Sequence, residues 1–173
     1  MIREVPGLLT PEECAALSAR IAVTRSDHFT DAGLFENKMW RDEALAADLY
    51  DRLCRSGAAP TGALRANNVV MAGVYQPGNA FGLHTDTGLH YDVAARTKTR
   101  WTLLVYLNDD FDGGATVFHD PASWAVSRRV TPQTGKALLF DIDLWHAGEV
   151  VRSGEKRWVG CEVIGAMPLE AVR

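Results

Sequence analysis

Between Thr10 and Ser56 apolar residues recur at helical spacing, and from Asn68 onward they crowd into short β-branched and aromatic runs. Thr10, Pro11 at the first helical position and Glu13 make a capping-box signature, followed by Cys14, Leu17 and Ile21 on one helical face. A second helix is expected from Asp42 to Ser56, with Leu45, Leu49 and Leu53 on one stripe and Gly57 as its stop. Both helices read as scaffold, because an apolar helical stripe serves to cover a core. Seven strands are expected: Val69 to Tyr75, Trp101 to Leu107, Ala115 to Phe118, Ala125 to Val130, Ala137 to Phe140, Trp145 to Val151 and Lys156 to Ile164. Gly, Pro, Asp and Asn punctuate them, which suggests a sandwich or barrel with the helices packed outside one β unit.

Composition narrows the picture without changing it. The chain has 173 residues, 47% of them hydrophobic and 23% charged, which suits one folded domain with one core. A formal charge of −4 with mixed signs gives no basic stripe for nucleic acid or an anionic membrane, so small molecules or other proteins are the expected partners. Cys14, Cys54 and Cys161 form no CxxC pair and suit a reducing compartment. No basic segment precedes a long apolar one, and no run approaches the roughly 18 apolar residues of a membrane span. A soluble, cytoplasmic protein is expected.

The candidate chemistry lies at His84, Asp86 and His146. Two neutral imidazoles and one carboxylate on one face of an iron(II) ion leave the remaining positions open for co-substrate and oxygen. In an extended segment residues two apart point the same way, so His84 and Asp86 can face one ion while Thr85 faces elsewhere. An isolated HxD pair is a weak signal; its surroundings strengthen it. They read YQPGNAFGLHTD from Tyr75 to Asp86, TLLVYLNDDFDGGATVF from Thr102, and VTPQTGKALLFDIDLWHAGEVVRSGEK from Val130 to Lys156.

Together these segments resemble the catalytic domain of prolyl 4-hydroxylase-like 2-oxoglutarate and iron(II)-dependent dioxygenases, over roughly residues 66 to 164 and in the family's order. The resemblance implies a mainly β, α+β chain: a double-stranded β-helix, that is, a jelly-roll or cupin-like barrel, preceded by a helical part over residues 1–65. It implies Fe(II) as the metal, with 2-oxoglutarate and O2 as co-substrates. The metal ligands carry onto His84, Asp86 and His146, and the family's basic residue ten positions after the distal histidine falls on Lys156. The family's tyrosine falls on Tyr75 and its threonine on Thr102. A dicarboxylate co-substrate must bury its far carboxylate, which is tolerated only when paired and hydrogen-bonded; Lys156 supplies a cation, and Tyr75 and Thr102 supply hydroxyls. Arg157 is the alternative if a bulge shifts the register.

Related halogenases lack the carboxylate ligand, so Asp86 points to oxygen insertion, most simply hydroxylation of an unactivated C–H bond. Val150 and Gly160 depart from the residues many relatives carry, which favours a free amino acid or other small polar metabolite over a prolyl peptide; a peptidyl or protein hydroxylase is the alternative. Candidate substrate contacts are Trp145, Glu162, His90 and Arg96. Glu162 either faces the cavity or lies past the barrel in solvent, and Trp145 either borders the open end or packs in a core. The polar stretch from Thr87 to Thr99 has the length of a lid. His84, Asp86 and His90 form an alternative local trio; His28 and His119 read as structural, and Gly113 and Gly114 as a tight turn. A zinc hydrolase and a non-catalytic member of the fold are the competing readings of the whole site.

Overall fold

The computed structural model describes residues 1–25 and 36–167, so His28 lies outside the described residues. In chain order the elements are β1 (Ile2–Val5), α1 (Pro11–Val23), β2 (Glu36–Arg41), α2 (Glu43–Arg55), β3 (Ala63–Tyr75), β4 (Phe81–His84), β5 (Tyr91–Asp92), β6 (Thr97–Tyr106), β7 (Asp112–Gly113), β8 (Thr116–His119), β9 (Val126–Val130), β10 (Ala137–Asp141), β11 (His146–Gly148), β12 (Val151–Ser153) and β13 (Lys156–Ala166).

Both helices begin where their caps predict. Thr10 Oγ1 accepts from Glu13 N while Glu13 Oε2 accepts from Thr10 N, closing the capping box of α1. Asp42 caps α2 by accepting from Leu45 N, and Ser56 ends it. Arg52 of α2 reaches Glu13 at 2.7 Å and so ties the two helices together.

A major antiparallel sheet runs β1-β10-β6-β13-β3-β2, with β5 paired to β6 off that path; a minor sheet runs β4-β11-β8-β9, and β12 pairs with β7. The central strands of the major sheet are buried on both faces. Leu103 and Val105, Leu139, and Val159, Cys161 and Val163 meet Leu45, Leu49 and Leu53 of α2, while Tyr106, Leu138 and Phe140 face Phe118 and Val130 of the minor sheet. Double burial explains why these strands read as continuous apolar runs instead of alternating ones. The helices therefore lie outside the β unit, as the sequence predicts.

The strands depart from the expected seven in definite places. The part before residue 66 is not purely helical: it also contains β1, β2 and the start of β3. β2, with sequence ENKMWR, is a polar strand at the sheet margin, held by its pairing with β3 and not by an apolar pattern of its own. β3 starts at Ala63 and not Val69, because ALRANN carries little β signal and gains its conformation from β13. The expected Trp145 to Val151 strand is two: β11 pairs with β4 and β8, whereas β12 turns away to pair with β7. The polar stretch after the metal motif is no open loop, since Tyr91 and Asp92 pair with Lys98 and Thr97 in a hairpin.

Candidate active site

The inward faces of the two sheets enclose a cavity of about 420 Å³. His84 ends β4 and His146 begins β11, and the two are direct partners across that ladder, with ring centroids 4.2 Å apart. Asp86 follows β4, held by its backbone N–H donating to the Ile142 carbonyl at 3.1 Å. Its Oδ1 lies 3.5 Å from His84 Nε2 and 3.7 Å from His146 Nε2. One ligand atom from each of the three falls within 4.8 Å of the others.

The surrounding bonds decide which atoms face this point. His84 Nδ1 donates to the Gly82 carbonyl at 2.7 Å and His146 Nδ1 to the Leu144 carbonyl at 3.0 Å, leaving each Nε2 with its lone pair toward Asp86. Thr102 Oγ1 donates to Asp86 Oδ2 at 2.5 Å, leaving Oδ1 for the centre. A metal needs such fixed tautomers and an oriented carboxylate, so the donor set fits Fe(II). Burial pushes the Asp86 carboxyl up, but the neighbouring His84 and His146 rings and the Thr102 hydroxyl outweigh it and hold the group below its ordinary value. Burial pushes His146 down, toward the neutral form that binds metal.

Lys156, the first residue of β13, is 3% exposed and lines the same cavity. Its Nζ donates to the Gly114 carbonyl at 2.7 Å and lies 4.9 Å from the Tyr75 ring centroid and 5.7 Å from that of Tyr106. Among the described residues no carboxylate pairs with it, and burial lowers its pKa to about 8. Arg157 points to the other face and pairs with Glu155. Burial raises Tyr75 well above the usual phenol range, keeping its hydroxyl protonated. Tyr106, also raised by burial, meets the Thr116 hydroxyl at 2.8 Å.

Of the candidate substrate residues, only Glu162 lines the cavity. It is not in solvent past the barrel: it is buried and accepts from Asn67, Leu89 and Thr99. Trp145 lies away from the cavity, edge-on to Trp124 at 5.3 Å. Arg96 is exposed in the hairpin turn at a φ of 52°. His90 bonds Thr97 Oγ1 at 2.8 Å, so the local trio with His84 and Asp86 does not form. His90 and Asp92 make a second HxD pair in the sequence, but Asp92 caps Ala95 N and the pair holds the hairpin. His119, as expected of a structural histidine, bonds the Trp124 carbonyl. Met39, Met71, Leu89, Tyr106 and Trp158 line the cavity as well. Strand parity from Tyr75 reaches Met71 and parity from Thr102 reaches Tyr106, whereas Met39 sits on a strand with no sequence signature.

The sequence profile of the 2OG-Fe(II) oxygenase superfamily matches residues 70–161. The chain belongs to the 2OG-Fe(II) oxygenase superfamily. Oxygenases of this superfamily use Fe(II), 2-oxoglutarate and O2, so the enzyme is a dioxygenase with these as metal and co-substrates. The viral collagen prolyl hydroxylase of Paramecium bursaria Chlorella virus-1, solved as its 2OG complex, has a TM-score of 0.66 at 23% identity, covering 96% of each chain. HygX from Streptomyces hygroscopicus, solved with nickel and 2-oxoglutarate, has a TM-score of 0.66 at 14% identity, covering 95% of this oxygenase and 82% of HygX. These likenesses show the fold, a double-stranded β-helix. Human prolyl 3-hydroxylase 3 is 39% identical over 59 residues, 34% of this chain and only 8% of that protein. No described helix is long and apolar enough to cross a membrane.

Proposed function

We propose that this oxygenase hydroxylates an unactivated C–H bond of a free amino acid or other small polar metabolite, with His84, Asp86 and His146 holding Fe(II) and Lys156 receiving the far carboxylate of 2-oxoglutarate. The observation that carries the reading is that three converging ligand atoms and a buried ammonium, without a carboxylate partner among the described residues, line one cavity. A buried cation of this kind is costly until an anion reaches it, and a dicarboxylate brings one. Bound there, iron and 2-oxoglutarate would supply an O2-dependent oxidation with succinate and carbon dioxide as co-products. Asp86 supplies the carboxylate whose loss would make room for halide, which supports oxygen insertion. Phe140, Leu104 and Trp158 give the cavity apolar walls that exclude water and strengthen the polar contacts inside. At about 420 Å³ the cavity is at the small end of ligand pockets, and 2-oxoglutarate must share it with the substrate, which supports a small substrate.

A peptidyl substrate is the second reading. It is favoured by Leu89, Tyr91 and Val93, which follow one another from the cavity edge and are 49%, 69% and 66% exposed.

Anaerobic titration with Fe(II) and 2-oxoglutarate tests the site through the visible charge-transfer band of the chelate. Wild type gives the band, His146→Ala loses it, and Lys156→Ala needs far more 2-oxoglutarate. No band in wild type at saturation removes the site as drawn. Succinate release then screens amino acids against short peptides.

A further inference from the structure

We propose that Glu162 is a positioning residue: it clamps the segment just after the metal motif and thereby sets the substrate-side wall of the cavity. Its carboxylate is 3% exposed, on the inward face of β13, directly opposite Thr102 across the β13–β6 ladder. The Leu89 N–H lies 3.1 Å from Oε1 and 3.0 Å from Oε2, Asn67 Nδ2 donates to Oε2 at 3.1 Å, and Thr99 Oγ1 donates to Oε2 at 2.7 Å.

Thr99 extends the clamp. Its Oγ1 also accepts from His90 N at 3.2 Å, and its own N–H donates to the His90 carbonyl at 2.9 Å. Gly88 packs so closely on Thr99 that an added Cβ would come within 2.8 Å of Thr99 Cβ. The backbone from Gly88 to His90 is therefore held by one carboxylate and the threonine that bonds to it. Thr87 and Leu89 of this segment line the cavity, so the clamp fixes the position of the wall.

The partners also say what kind of role this is. Among the described residues every hydrogen-bond partner of Glu162 is neutral, and no lysine or arginine pairs with it. Three donors occupy most of the roughly four acceptor positions of a carboxylate, so the group is used as an acceptor within the fold and not held open for a substrate amine. Glu162 lies six residues from Lys156 along β13, about 20 Å at ~3.3 Å per residue, so loosening it leaves the co-substrate end in place. What the wall does rests on the proposed oxygenase site; the clamp itself does not.

The test is amide hydrogen exchange on the full apo chain, for wild type, Glu162→Ala and Glu162→Gln. Loss of the acceptor in Glu162→Ala raises exchange at Leu89 and His90 about tenfold while Leu103 and Val105 in β6 stay protected. Glu162→Gln, with its oxygen at the Oε2 position, keeps an acceptor for Leu89 N–H, Asn67 Nδ2 and Thr99 Oγ1, and stays within about threefold of wild type. The chelate titration gives the same 2-oxoglutarate affinity in all three. Unchanged exchange in Glu162→Ala overturns the clamp, as does a uniform rise over the whole chain. Glu162→Gln as damaging as Glu162→Ala overturns it too, since charge and not acceptor geometry would then matter. If Glu162→Ala does not fold, Glu162→Asp, one methylene short, is read by the same criteria. A wild type without a chelate band defeats the proposed site but leaves the exchange result standing.

Discussion

The ammonium of Lys156 sits 4.9 Å from the centre of the Tyr75 ring, its direct partner across the β13–β3 ladder. Around it are the two tyrosine rings and the Gly114 carbonyl, with the attraction of Glu149 only partly offsetting the effect of burial. Its pKa of about 8 puts the change of charge within working range. Below that pH the group is the cation that pairs with a carboxylate; above it the neutral amine does not. The affinity of the free protein for 2-oxoglutarate should therefore fall about tenfold between pH 7 and pH 9, while Lys156→Met binds weakly at both. Anaerobic calorimetry reads this directly, and a flat wild-type profile would place the anchor elsewhere.

Thr102 gives its hydroxyl to Asp86 Oδ2 and not to open cavity space. Thr102→Val keeps the shape and removes the donor. Iron affinity should drop about 10-fold or more, as for other lost partners of metal ligands. If only the 2-oxoglutarate affinity changes, the hydroxyl serves the co-substrate instead.

Gly114 has a φ of 63°, and a Cβ there would lie 3.1 Å from Lys156 Cδ and 3.0 Å from Phe111. Gly114→Ala should cost about 1–2 kcal/mol of stability through its backbone alone. It should also weaken 2-oxoglutarate binding several-fold with iron affinity unchanged. Thermal unfolding and the chelate titration measure the two effects separately.

His90, the unused member of the second HxD pair, bonds Thr97 within the hairpin. His90→Ala should leave iron affinity within about twofold of wild type, whereas a lost metal ligand abolishes binding. Metal titration with the variant decides between the two triads.

Much of the fold was legible because its signals are local. The capping box at Thr10 and Glu13 and the leucine stripe of α2 are read within one or two turns. The strands buried on both faces, such as β6 and β10, announce themselves as unbroken apolar runs. β2 and the first half of β3 were not legible, because their conformation comes from neighbours far away in sequence. The metal trio could be read because two residues share one extended segment and the third carries a family spacing. Trp145 and Arg96 do not line the cavity for a different reason: sequence proximity to the motif says nothing of direction, and Trp145 packs on Trp124 while Arg96 lies exposed in the hairpin turn. Glu162 needed both its strand parity and the return of the hairpin, and only the first is written locally.

β13 lies between β6 and β3, its outward side chains Val159, Cys161 and Val163 locked into the helix-covered core. Its inward side carries Lys156, Trp158 and Glu162. The strand thus acts as a fixed ruler between the two ends of the cavity. A single residue inserted between them would turn one end's side chains toward the helix-covered face while the other end kept its own, so the two could no longer serve one cavity. Side-chain substitution at the Glu162 end would reshape one wall of the cavity while leaving the Lys156 end in place, so the two ends are separable only at constant strand length.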